Sequence, residues 1–212
     1  MVIAHLYKDL LNLYGNDGNV KILKLKLEQM GYDVVVEEPS IGDKMDLARY
    51  DCVFIGSGTE DNLELAIKDI LSRREEFKEA IESDKLILAM GNSVELFDER
   101  ALNAFPFKSV AVDRIKHDVC RDSRFTESKL LGFENHGCIM ESDNKKLIEN
   151  QEIHEHNFFG AYLEGPILVR NPEFCRRIIG IMTGGKLDGL DLALEQKAYD
   201  NFMQIIGESE KY

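Results

Sequence analysis

Short apolar runs alternate with segments of helical periodicity through most of the chain. Short continuous apolar runs indicate buried strands, and apolar residues at every third or fourth position indicate helices. This alternation is typical of βα units that stack a largely parallel sheet between helices, so the pattern predicts an α/β fold. The predicted strands cover residues 2–6, 33–36, 52–55, 86–90 and 158–163, and the predicted helices cover residues 19–30, 60–72, 74–83, 172–182 and 190–206.

The stretch from residue 107 to residue 139 has a different pattern. Its apolar runs are short and strand-like, at 109–112 and 130–134, and loops separate them. This indicates an antiparallel or irregular region rather than further βα units. No internal repeat, low-complexity tract or linker interrupts the chain, and 212 residues with 44% hydrophobic side chains are enough for one core. We therefore expect a single domain over residues 1–212.

The charge balance argues against two classes of partner. Lys and Arg number 26 against 39 Asp and Glu, which gives a net charge of -13. Such a chain repels the phosphates of nucleic acids and anionic lipid surfaces. The first residues lack the features of a signal peptide, and no apolar stretch approaches the ~20 residues of a membrane-spanning helix. We expect a cytoplasmic protein that does not insert into membranes.

The cysteines and histidines do not predict a metal or redox site. The four cysteines are scattered, without a Cys-x-x-Cys pair. His154 and His156 are two residues apart, a spacing that would place both imidazoles on one face of a strand. Two imidazoles could begin a metal site, but no third ligand is evident. We expect a solvent-exposed hairpin there and no metal.

The predicted strand at 86–90 runs into a tight turn and a predicted helix. In an α/β fold such a strand-turn-helix junction holds a nucleophile. The tip of this turn is Gly91, so the expected nucleophile is missing. Ser93 lies two residues further on, in a Gly-Asn-Ser-Val-Glu segment that partly matches the Gly-x-Ser-x-Gly of serine hydrolases. Glu95 stands where the last glycine of that motif lets the turn close against the helix.

Two other segments carry candidate binding groups. Gly58 belongs to a Gly-Ser-Gly segment after the third predicted strand, where backbone amides could bind an anion or a developing oxyanion. A plain turn with a capped helix explains that segment equally well. Glu134, Asn135 and His136 form an unusually polar strand-to-turn segment, whose groups either bind a ligand or satisfy one another. His136 could act as a base if a distant acid paired with it, although a lone histidine near a strand end is more often structural.

Four segments together carry a resemblance to a known family. They are Asn-Leu-Tyr-Gly-Asn-Asp-Gly-Asn at 12–19, Gly-Ser-Gly at 56–58, Gly-Phe-Glu-Asn-His-Gly at 132–137 and Gly-Ala-Tyr-Leu-Glu-Gly-Pro at 160–166. In this order they resemble the CobB/CobQ-like class I glutamine amidotransferases, and within that family the GatD-type glutaminase subunits of lipid II isoglutaminyl synthase. The resemblance spans essentially the whole chain. It implies a three-layer sandwich with a mostly parallel central sheet.

The resemblance also implies a mechanism that this chain cannot carry out. In the family a cysteine after the central strand attacks the side-chain amide of glutamine, a histidine acts as base, and the released ammonia passes to a MurT-like Mur ligase. The matching motifs place Gly91 at the cysteine and Glu164 at the histidine. Glycine cannot form the thioester, whatever the ionisation state of the glutamate. Any ATP chemistry belongs to the ligase, so no cofactor is expected here.

We therefore interpret the chain as a non-hydrolysing partner of a MurT-like ligase in peptidoglycan (lipid II) amidation. Its catalytic positions, Gly91 and Glu164, would be vestigial, and Gly58, Asn135 and His136 would form a crevice able to bind glutamine or a related small polar ligand. The alternative is a hydrolase or ligand-binding protein that uses this crevice with Ser93 or His136. A variant position in an active lineage is disfavoured, because four family positions differ together, including those of Val94 and Glu95.

Overall fold

The computed structural model describes residues 1–209. The strands within that range are β1 (Val2–Leu6), β2 (Val35–Glu37), β3 (Cys52–Ile55), β4 (Ile87–Met90), β5 (Lys108–Arg121), β6 (Leu130–Glu141), β7 (Ile148–Glu149), β8 (Glu152–Glu155) and β9 (Phe158–Ala161). The α-helices are α1 (Asp17–Gln29), α2 (Glu60–Ile70), α3 (Arg74–Glu82), α4 (Ile167–Arg170), α5 (Pro172–Met182) and α6 (Ala193–Ser209). Short 3-10 helices cover Leu13–Gly15, Leu47–Arg49, Leu71–Arg73 and Gly91–Phe97.

Seven strands form one sheet in the order β2-β1-β3-β4-β9-β8-β7. The first five strands of that order are parallel to their neighbours, and β8 and β7 are antiparallel. The register pairs Ile55 with Ala89, and Met90 with Ala161. The carboxyl ends of β3, β4 and β9 therefore lie side by side, and the segments that follow these strands meet above the same edge of the sheet.

Apolar side chains cover both faces of this sheet. One cluster packs the sheet against α2, α3 and the segment after β4, and includes Phe77, Phe97 and Phe158. The second cluster packs the other face against α1 and α5 and includes Leu23 and Phe174. Each such fully buried side chain contributes about 1.5–3 kcal/mol relative to an exposed one. The predicted α/β fold with a mostly parallel central sheet is confirmed.

The remaining strands, β5 and β6, pair with each other as an antiparallel two-stranded ribbon. The side chain of Asn171, at the start of α5, anchors the ribbon by accepting from the Leu131 amide at 2.8 Å and donating to the Leu131 carbonyl at 2.7 Å. Arg121 of β5 also reaches across to carboxylates on β6 and β8, Glu134 at 2.7 Å and Glu152 at 3.2 Å. These buried contacts hold the ribbon against the main sheet.

Several predicted bounds agree with the structure and others differ. The strands at 2–6 and 52–55 and the helix at 172–182 match β1, β3 and α5. The helix predicted after the central strand is instead the 3-10 helix Gly91–Phe97. The strand runs predicted at 109–112 and 130–134 extend into the long strands β5 and β6.

The prediction that His154 and His156 share one face of a strand is wrong. β8 ends before His156, whose φ of +54° breaks the alternation of side chains. Nδ1 of His154 bonds the Phe158 carbonyl, whereas Nδ1 of His156 bonds the Asp84 carboxylate. Among the side chains that the structure describes, those of residues 1–206, there is no cluster of three or more His, Cys, Asp or Glu that could hold a metal ion. In the same range, no helix has the length and apolar character needed to span a membrane.

Candidate functional site

A crevice of about 410 Å³ lies at the carboxyl edge of the parallel strands. In open α/β sheets this edge is the usual place for a ligand. Its wall is formed by the loops after β3, β4 and β9, the β5–β6 ribbon, the 3-10 helix Leu13–Gly15 and the first turns of α2. The polar residues on that wall that matter below are Ser57, Gly58, Asn92, Glu95, Asn135, His136 and Glu164. A larger and more open cleft of about 860 Å³, bordered by Lys108 and Glu141, contains none of the predicted site residues.

Glu164 lies on the crevice wall, and its carboxyl group is close to Gly91. Gly91 follows β4 with a φ of +68°, a backbone conformation that favours glycine. A Cβ at this position would lie 2.5 Å from the Cβ of Ser57 and 2.8 Å from Oε1 of Glu164. Both separations are shorter than any normal carbon contact. The tip of the turn therefore has a backbone conformation that favours glycine, and Ser57 and Glu164 occupy the room that a side chain there would need.

Glu164 is buried, and its carboxyl group has few partners. Ser57 Oγ donates to its Oε1 at 2.8 Å, and the backbone amide of Glu164 donates to the Phe133 carbonyl. Its Oε2 and the Oδ1 of Asn16 are buried acceptors with no hydrogen-bond partner among the described residues. Burial raises the pKa of Glu164 to about 7, and the Ser57 hydroxyl opposes this shift only in part. The side chain can thus hold a proton near neutral pH.

The amide of Gly58 is already engaged within the protein. It donates to Oδ1 of Asn92 at 3.0 Å, and Nδ2 of Asn92 donates back to the Gly58 carbonyl at 2.9 Å. Gly58 does line the crevice, as the sequence predicts. Its N–H, however, points at a side chain of the same protein, so an anion would have to displace Asn92 to reach it.

Asn135 and His136 also line the crevice. The Asn135 carboxamide donates to the Tyr14 hydroxyl and accepts from Arg114 at 2.9 Å. The His136 ring stacks on Tyr162 with centroids 4.2 Å apart, and its Nδ1 donates to the Cys138 carbonyl. The Nε2 of this ring is 3.6 Å from Glu134, beyond hydrogen-bond distance, and is otherwise unpartnered among the described residues. The Asn135 carboxamide thus has partners outside its own segment, and within the segment only the His136 ring and the Glu134 carboxylate approach each other.

Ser93 does not reach the crevice. It is fully buried, and its Oγ lies 3.0 Å from the Ile55 carbonyl and 2.9 Å from the Met90 carbonyl. By bonding these carbonyls, the hydroxyl joins the turn after β4 to the end of β3 and so stabilises that turn. The structure thus brings His136 and Glu164 to the crevice without Ser93.

Sequence reasoning missed three residues that shape this site. Glu95 is a buried carboxylate in the crevice wall, paired with Arg100 at 2.9 Å, and burial raises its pKa to about 7. Ser57 and Asn92 bond across the ends of neighbouring strands. For Ser57 and Asn92, the only signal in the sequence was their position beside Gly58 and Gly91, two residues that the motifs identify. For Glu95 the signal was a charged residue in an otherwise uncharged turn.

The chain is similar to two curated proteins and to a solved structure. It is 29% identical over 203 residues to subunit GatD of lipid II isoglutaminyl synthase (glutamine-hydrolyzing) from Streptococcus pneumoniae, a match that covers 84% of this chain and 78% of that protein. It is 27% identical over 228 residues to the subunit of the same name from Staphylococcus aureus, covering 97% and 92%. A glutamine amidotransferase from Thermotoga maritima superposes with a TM-score of 0.57 at 12% identity, covering 97% and 94% of the two chains. No family profile matches the chain.

Proposed function

Because the chain is a homologue of GatD and has the glutamine amidotransferase fold, we propose that it is a non-hydrolysing subunit in lipid II amidation. In this role it binds a MurT-like Mur ligase and supports that enzyme without supplying ammonia from glutamine. The homology supports the place in lipid II amidation. The ligase partner and the absence of glutaminase activity are the parts of the proposal that need a test.

The observation that carries the proposal is the pairing of Gly91 with Glu164. Hydrolysis of a glutamine side chain by this fold needs a thiolate that attacks the amide carbonyl. It also needs a base that takes the proton of the thiol and gives it to the leaving nitrogen, which departs as ammonia. Gly91 stands at the tip of the turn where the thiol would be held, and Glu164 fills the space above it. Because Ser57 and Glu164 take up the space beside the turn tip, this packing supports the absence of a substitute thiol there. Cys138, the cysteine on the crevice wall, has a pKa raised by burial and then by Glu95, which disfavours its thiolate.

A ligase that works with such a subunit must obtain ammonia from solution. We therefore expect the complex to amidate lipid II with ammonium salts and not with glutamine. The test is to co-express the chain with the MurT-like ligase of the same genome, purify the complex, and compare amidation with each nitrogen source. GatD of Staphylococcus aureus with its own synthase subunit serves as the glutamine-using control.

Two results would contradict the proposal. One is a chain that does not co-purify with the ligase and does not change its activity. The other is use of glutamine. It would appear as a complex that amidates lipid II with glutamine as well as with ammonium, or as a purified chain that releases ammonia from glutamine. The first result would remove the partner, and the second would remove the claim that the subunit is non-hydrolysing.

A second candidate function is binding of a small polar ligand in the crevice. The observation that favours it is that two buried polar atoms of crevice residues, Nε2 of His136 and Oε2 of Glu164, have no hydrogen bond among the described residues. Buried polar groups normally have partners, so such atoms are common where a ligand or water binds. Calorimetric titration with glutamine, glutamate and ammonium would test it. Saturable binding that His136→Ala abolishes supports it, and no heat with any of the three contradicts it.

A further inference from the structure

The carboxamide of Asn92 pairs with the backbone of Gly58 through two hydrogen bonds. Oδ1 accepts from the Gly58 amide at 3.0 Å and Nδ2 donates to the Gly58 carbonyl at 2.9 Å. Gly58 is buried and Asn92 is half-buried. The side chain thus bonds Gly58 as a neighbouring peptide group would, across the gap between the loop after β3 and the turn after β4.

This contact is placed where an enzyme of this architecture stabilises negative charge. At a strand-turn-helix nucleophile site, the oxyanion hole is made by the N–H of the residue after the nucleophile and by an N–H from a neighbouring strand-helix loop. In this chain Asn92 is the residue after the turn tip, and Gly58 belongs to the loop between β3 and α2. The Asn92 Oδ1 accepts from the same N–H that a substrate oxyanion would use.

We propose that the Asn92 carboxamide closes the oxyanion hole, so that an amide or ester carbonyl that enters the crevice cannot take the Gly58 N–H, whatever residues stand at 91 and 164. The inference rests on the proposed non-hydrolysing function and adds a separate cause for it. A substrate carbonyl could accept from the Gly58 amide only by displacing the Asn92 Oδ1 that already accepts from it. The missing nucleophile and the closed hole are therefore two separate obstacles to hydrolysis.

Ser57 connects the two obstacles. Its Oγ donates to Oε1 of Glu164 at 2.8 Å and lies 3.3 Å from Oδ1 of Asn92. Its Cβ also occupies part of the space above Gly91. Groups from the loops after β3, β4 and β9 thus form one chain of contacts that runs from Glu164 through Ser57 and Asn92 to Gly58. The polar groups that would bind a substrate in an active enzyme here form hydrogen bonds with one another.

The test compares two variants that differ only at residue 92. The background is Ser57→Gly, Gly91→Cys and Glu164→His together, which frees the space above the turn and supplies the family's thiol and imidazole. The second variant adds Asn92→Gly. Because one oxyanion-hole donor is worth about 10²–10³ in kcat, we expect the added substitution to raise glutamine hydrolysis by about that factor. A folded background variant that hydrolyses glutamine as fast with Asn92 as without it would overturn the inference.

A second measurement decides the question if the multiple variants do not fold. Amide hydrogen exchange at Gly58 is measured in the natural chain and in the single variant Asn92→Ala. We expect a Gly58 amide that is protected in the natural chain and exchanges at least tenfold faster in the variant. Equal exchange would show that Asn92 does not hold this amide. Glutamine hydrolysis by the natural chain would instead overturn the proposed function, so the two failures are distinguishable.

Discussion

Oε1 of Glu164 lies 2.8 Å from the point that a Cβ at Gly91 would occupy. The two residues are far apart in the chain and meet because β4 and β9 are parallel neighbours, with Met90 opposite Ala161. The turn after one strand and the loop after the other therefore face each other at the same edge of the sheet. The side chain at position 164 therefore limits which side chains fit at position 91.

The first prediction concerns the space above Gly91. Gly91→Ala combines a left-handed backbone with a collision against Ser57, so we expect the free energy of unfolding to fall by about 2–4 kcal/mol. Urea denaturation monitored by circular dichroism measures the change. Gly137→Ala is the matched control, because a Cβ there meets nothing within 4 Å and no positive φ is involved. Equal stability of the two variants would contradict the account of the turn.

The second prediction concerns pH. Burial raises the pKa of both Glu164 and Glu95 from 4.5 to about 7. Between these two values the folded protein keeps protons that the unfolded chain has released, so the free energy of unfolding should decrease as the pH rises through that window. The decrease is on the order of 1–3 kcal/mol for each carboxyl group. Urea midpoints at pH 5, 6, 7 and 8 provide the measurement.

Glu164→Gln isolates one of the two contributions. The neutral amide stands in for the protonated carboxyl group and does not titrate, so this variant should lose the part of the pH slope that Glu164 causes. Glu79→Gln, at an exposed position on α3, should leave the slope unchanged. A Glu164→Gln variant with the same slope as the natural chain would show that this carboxyl group is not protonated in the folded protein near neutral pH.

The third prediction concerns Ser93. Because its hydroxyl is fully buried and close to two carbonyl groups, we expect no reaction with a fluorophosphonate probe directed at nucleophilic serines. Intact-mass spectrometry after incubation with the probe tests this, and a known serine hydrolase serves as positive control. A stoichiometric adduct that maps to Ser93 would revive the serine-hydrolase interpretation.

The fourth prediction concerns the anchor of the ribbon. Arg121→Met would leave two buried carboxylates, Glu134 and Glu152, without their shared cation. Removing one partner of a buried ion pair lowers the free energy of unfolding by about 3–5 kcal/mol. Because Arg121 is partly exposed, we expect a decrease near the lower end of this range. Chemical denaturation measures it. Arg170→Met, at an exposed position at the end of α4, is the control and should change stability by less than about 0.5 kcal/mol.

The parallel sheet could be predicted from the sequence because its strands β1, β3, β4 and β9 are almost entirely buried. β1 and β3 are short apolar runs, and α5 begins at Pro172, a residue suited to the first turn of a helix. The ribbon was underestimated for the opposite reason. Much of β5 is exposed and charged, so backbone pairing with β6 extends it without a continuous hydrophobic signal.

The candidate site was predictable only where motifs cover it. The resemblance singled out Gly91 and Glu164, and the structure places them in contact distance. Asn92 and Ser57 were not identified, because each acts across strand ends on a residue that is distant in sequence. His156 shows the same limit on a local scale, since a single left-handed residue cancels the alternation that a strand pattern assumes.

The chain of contacts from Glu164 through Ser57 and Asn92 to Gly58 has a consequence for the history of such a site. A single substitution that introduced a thiol at 91 would collide with Ser57, and one that removed Asn92 alone would leave the buried Gly58 amide without its partner. Each of these first steps toward hydrolysis thus lowers stability before any activity appears. Selection that acts on one mutation at a time would therefore retain the arrangement, because a return to hydrolysis requires several substitutions together.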